Sequence, residues 1–117
     1  MTQAQNEALI HLLLAVRFSD SKLSLSESDA FQKQIDDLPW DSGTSRYIFV
    51  QQATAAVRNA LSSDGTKQEL LEKQCAEFTD SDSKRSAFRT IESLMLADGI
   101  DPKESKLLLH IRSILKI

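Results

Sequence analysis

The chain has 117 residues, 41% of them hydrophobic and 26% charged, which predicts one globular domain over 1–117 that folds without a disulfide or structural metal. Its formal net charge is −3, and its basic residues are interleaved with acids; this argues against a nucleic-acid or anionic-membrane partner. Only 3 Gly and 2 Pro interrupt it, too few turns for an all-β fold, and the single cysteine, Cys75, rules out an intrachain disulfide or a cysteine zinc site.

The patterning predicts six helices. The first runs from about Gln3 to Phe18. Leu9, Leu13 and Val16 share one face and Ile10, Leu14 and Phe18 its neighbour, so this helix is expected to be covered on most sides. The apolar stretch Leu9–Val16 lacks a basic n-region and a cleavage site, and it falls well short of the roughly 20 residues that cross a bilayer. The expectation is a cytoplasmic protein with no transmembrane segment. After a loop, Ser24-Leu25-Ser26-Glu27 forms a capping box: the Ser24 hydroxyl accepts from a backbone N–H, and Glu27 reaches back. The second helix buries Phe31, Ile35 and Leu38 and stops before Pro39.

The third helix spans about Thr44 to Ser62, with Phe49, Ala53, Ala56, Val57 and Ala60 in one stripe; Ser63-Asp64-Gly65 is read as its break. The fourth, about Thr66 to Phe78, buries Leu71, Cys75 and Phe78. Thr79-Asp80-Ser81-Asp82-Ser83 is rich in N-cap residues and starts the fifth helix, which presents Phe88, Ile91, Leu94 and Met95. Gly99 is placed to end it in a left-handed conformation. Asp101 then caps the sixth helix, with Pro102 at its first position, Glu104 closing the box, and Leu107, Leu108, Ile111, Ile114 and Leu115 on its apolar face.

The two ends of the chain repeat one pattern. Leu9–Leu38 and Phe88–Ile117 both read apolar helix, acidic loop, capping box, amphipathic helix. The segment Leu96-Ala97-Asp98-Gly99-Ile100-Asp101-Pro102-Lys103-Glu104, followed by an apolar helix, resembles the second-half signature of the tellurite-resistance TerB-like family. The resemblance implies an all-helical bundle whose first, second, fifth and sixth helices pack about a pseudo-twofold axis. It also implies a bacterial stress or tellurite-resistance role and divalent-metal binding by the loop acids. The first loop departs from the pattern: Ser19-Asp20-Ser21-Lys22 has an extra residue and no glycine.

The sharpest candidate site is Asp98, Asp101 and Glu104, with Asp20 and Glu27, beside Asp29, as a weaker counterpart. Oxygen ligands on a tight loop suit a hard cation such as calcium, although the spacing lacks the ligand set of an EF-hand. The alternative is that Asp101 and Glu104 cap a helix while Asp98 is solvated. In the niche this predicts, Glu104 stands at the rim. His11 and His110 lack a second ligand at metal spacing, Cys75 has no activating neighbour, and no phosphate loop or nucleophile elbow is present. A helix-turn-helix reading of the last two helices founders on the acidic balance. The sequence therefore predicts a non-enzymatic TerB-like interaction or regulatory module with a protein partner, its alternative being a weak calcium-type binding protein.

Overall fold

The structure, a computed structural model, describes residues 2–19, 25–96 and 102–117, the side chains of residues 19 and 25–28 excepted. The described residues form six helices and no strand: α1 (Gln3–Ser19), α2 (Leu25–Asp37), α3 (Arg46–Ala60), α4 (Asp64–Cys75), α5 (Ser81–Leu96) and α6 (Pro102–Leu115). The protein is an all-α bundle. No described helix is long and apolar enough to cross a membrane.

The bundle is built around α1, which touches all the other helices. Leu9, Ile10, Leu12, Leu13, Leu14 and Val16 are each 1% exposed or less. Withdrawing those side chains from water contributes on the order of 10 kcal/mol of gross stabilisation. A helix apolar around its whole circumference can satisfy that surface only at the centre of a core. Its start is fixed by a capping box that the sequence reading did not name. The Gln5 N–H donates to Thr2 Oγ1 at 3.1 Å and the Thr2 N–H donates back to Gln5 Oε1 at 3.0 Å.

Among α1, α2, α5 and α6, the touching pairs are α1–α2, α5–α6, α1–α5, α2–α5 and α1–α6. Exchanging α1 with α5 and α2 with α6 leaves this set of pairs unchanged: α1–α2 trades places with α5–α6 and α2–α5 with α1–α6, and α1–α5 maps onto itself. The two end pairs therefore pack as one core with a twofold pattern of contacts. α3 lies against α1, and α4 fills the space between α1, α3 and α6.

The middle helices differ from expectation in register. Ser63 caps α4: its hydroxyl accepts the Thr66 N–H at 3.3 Å, so Asp64 and Gly65 sit in the first turn instead of forming a break. α4 ends at Cys75, and Phe78 is buried from the turn beyond it. Along α3 only Ala53 and Val57 are buried, and Ala56 faces solvent because a single side of this helix meets α1 and α4.

The connection between α2 and α3 is pinned from several directions. Arg46 donates from Nη2 to the Leu38 carbonyl at 2.8 Å and from Nη1 to that of Asp36 at 3.1 Å, covering the carbonyl end of α2. Asn6 Nδ2 donates to the Pro39 carbonyl at 2.9 Å, and Gln3 Oε1 accepts the Asp41 N–H at 2.9 Å. Trp40 donates from Nε1 to the Thr44 carbonyl at 2.8 Å and packs 5.2 Å from Phe49.

Candidate functional site

Of the acids singled out in the sequence, Asp98, Asp101 and Asp20 lie outside the described residues, as do Gly99 and Ser24. Both capping boxes and the left-handed stop at Gly99 therefore lie outside them too. Glu27 falls within α2, but its side chain is not among those described, and Asp29 is exposed. Pro102 opens α6 as expected.

Glu104 is buried, while the two aspartates of the niche whose rim it was expected to form lie outside the described residues. Glu104 itself is 3% exposed. The reason lies in the helical period: Glu104, Leu107, Leu108, Ile111 and Leu115 share one buried face. A carboxylate so placed is part of the α6 packing surface. Among the described residues, no group of three or more His, Cys, Asp or Glu side chains gathers around a common point.

The other chemistry-bearing side chains are occupied structurally. His11 donates from Nδ1 to the Glu7 carbonyl at 2.9 Å and meets Phe49 edge-on at 5.6 Å. Burial pushes the Cys75 thiol up to about 11, which keeps it protonated at neutral pH. Asp80 is the cap of α5. Its Oδ1 accepts the Ser83 hydroxyl at 2.7 Å and its Oδ2 accepts the Ser83 N–H at 2.9 Å. These hydrogen bonds, the side-chain one foremost, hold its carboxyl below the usual aspartate value.

A concave feature that the sequence reading missed lies between α4 and α6. It is an open cleft with a volume of about 400 Å³. Leu71 and Leu107 are the apolar part of its lining. Lys67 from α4 and Lys103 and Lys106 from α6 supply three cations, against one lining acid, Asp64. The wall is braced by a short chain of polar contacts. Gln68 donates from Nε2 to Glu72 Oε1 at 2.9 Å, which turns its Oε1 toward His110 Nε2 at 2.6 Å. With Gln68 oriented by Glu72, the imidazole Nε2 carries the proton and donates across the helix–helix boundary. The available sequence signal was two i, i+3 pairs, Asp64–Lys67 and Lys103–Lys106, on helices that nothing local assigns as neighbours.

No protein-family model, curated protein or solved structure matches this chain.

Proposed function

We propose that the chain is a non-enzymatic interaction or regulatory module of the TerB-like kind, acting in the cytoplasm through a protein partner in a bacterial stress or tellurite-resistance response. The observation that carries this reading is the exchange pattern of the core: the set of touching pairs among α1, α2, α5 and α6 is unchanged when α1 is exchanged with α5 and α2 with α6. That is the arrangement implied by the resemblance of Leu96–Glu104 and the helix after it. The chemistry is consistent with a binding role. Cys75 is held as a thiol and Asp80 as an ionised cap, and neither shift favours catalytic use.

Tolerance of tellurite in a bacterium carrying the gene tests the cellular part. Deletion should lower tolerance and re-expression of the wild-type chain should restore it; unchanged tolerance counts against the stress role. Thermal melts in chelator and in calcium separate the module from a dedicated metal-binding protein. The module reading expects melting temperatures that coincide in chelator and in micromolar calcium. A rise of several degrees at micromolar calcium, abolished by Asp98→Ala, makes metal binding the function instead.

A further inference from the structure

We propose that the cleft between α4 and α6 is a binding site for a small phosphate monoester carrying an apolar group. Its volume of about 400 Å³ lies within the range of small-molecule sites. Its lining combines the parts such a ligand needs: Lys67, Lys103 and Lys106 bring ammonium groups and the methylene stems that carry them, over a floor at Leu71 and Leu107 that is itself packed into the core.

Charge selects the ligand class. Lys67, Lys103 and Lys106 against Asp64 leave a local charge of +2 in the lining, on a chain whose formal net charge is −3. A phosphate monoester carries about −1.5 to −2 at neutral pH and so neutralises that excess, whereas a monocarboxylate leaves half of it uncompensated. Lysine ammonium groups serve phosphate as adaptable point charges without a fixed bidentate geometry. The three cations also sit where helix dipoles oppose them: Lys67 lies near the start of α4, and Lys103 and Lys106 lie in the first turns of α6. The opposition is strongest for Lys67 and Lys103, in the first turns of their helices, and an arriving anion relieves it.

The same observations disfavour an extended polyanion. A nucleic acid needs basic side chains along a path, and several of the arginines outside the cleft are committed to packing. Arg17 lies over Phe31 at 4.8 Å and Arg58 over Phe18 at 4.7 Å. Arg112 approaches Phe88 and donates from Nε to the Ile117 carbonyl at 3.1 Å. The site is defined by its own lining and stands independently of the family reading.

The test is a titration of the full chain with phenyl phosphate, followed by calorimetry and by amide chemical shifts. Inorganic phosphate and phenol serve as comparison ligands. Saturable binding is expected, with the largest shifts in residues 64–71 and 103–110. Phenyl phosphate should bind about threefold or more tighter than inorganic phosphate, because only the ester has a ring to lie against the methylene stems of the lining lysines. Lys67→Glu and Lys106→Glu should each weaken binding at least roughly tenfold. Lys33→Glu, an exposed change on α2, should leave affinity within about twofold, as expected for a screened distant charge. Three results overturn the proposal: no saturation at millimolar phenyl phosphate, shifts that map elsewhere, or an equal loss from Lys33→Glu. Phenyl phosphate binding no tighter than inorganic phosphate, or phenol binding as well as the ester, overturns it as well.

Discussion

Replacing Arg46 by Met tests whether one guanidinium fork holds the end of α2 to the start of α3. Met keeps an unbranched apolar stem and removes the hydrogen bonds to the Leu38 and Asp36 carbonyls at 2.8 and 3.1 Å. A hydrogen bond from a charged donor contributes about 1.5–3 kcal/mol when well buried. Here the Asp36 bond is exposed and its carbonyl can hydrate once released, so most of the loss falls on the part-buried Leu38 bond. The Arg46 Nε–H, which is buried with no hydrogen-bond partner among the described residues, disappears in the same substitution and offsets part of that loss. The net cost is therefore about 1–2 kcal/mol, or roughly 5–10 °C in melting temperature for a domain of this size. Arg46→Lys retains one donor and should cost about half as much. The single tryptophan, Trp40, lies in this connection and donates to the Thr44 carbonyl, so its fluorescence reports the local event while circular dichroism reports the bundle. In Arg46→Met, the fluorescence transition in urea should precede the dichroism transition. A variant that melts with the wild type, or a Lys variant as unstable as Met, refutes the bridging role.

Other substitutions probe the core, a cap and the thiol. Leu13→Ala, at a side chain that is fully buried in the central helix, should destabilise by about 3–5 kcal/mol in urea unfolding, whereas Leu109→Ala, at 63% exposure, should stay within about 0.5 kcal/mol. Asp80 has a lowered carboxyl pKa in the folded state, so its contribution is complete above the unfolded value and is lost as pH falls through the folded one. Asp80→Asn keeps a capping oxygen but no ionisation, and urea midpoints between acidic and neutral pH should therefore fall less steeply with acidification than in the wild type. Cys75 should resist a thiol-specific disulfide reagent at neutral pH until the chain unfolds, since it is both buried and protonated; rapid native-state labelling would contradict its placement.

The parts of the fold that were legible in the sequence are those specified by local physics. The apolar circumference of α1 announced a central helix, and Leu9 through Val16 are buried except for the half-buried His11. The cap-rich run before α5 fixed its start at Asp80. Errors gathered where local signals compete. Gly65 reads as a helix breaker, yet the Ser63 cap two positions earlier outweighs it, as glycine is tolerated in a first turn. Ala56 matched the apolar stripe of α3, but alanine carries too little surface to determine which way a helix turns.

Sites are harder to read than helices because they depend on which elements meet. Glu104 shows both sides of this. Its place as the third residue of α6 announced a capping role, while its spacing of three, four and seven residues from Leu107, Leu108 and Ile111 placed it on the buried face. The period therefore makes its burial legible from sequence alone, whereas a capping contact depends on Asp101, outside the described residues. The lysine cleft offers no such route. Lys67 and Lys106 are thirty-nine positions apart, each looks like an ordinary solvated helix residue, and only the packing of α4 against α6 brings them to one concavity. A local excess of positive charge on an acidic chain is thus a property of the assembled bundle. That is why neither the net charge nor any motif exposed it, and why its chemistry has to be argued from the lining residues of the folded protein.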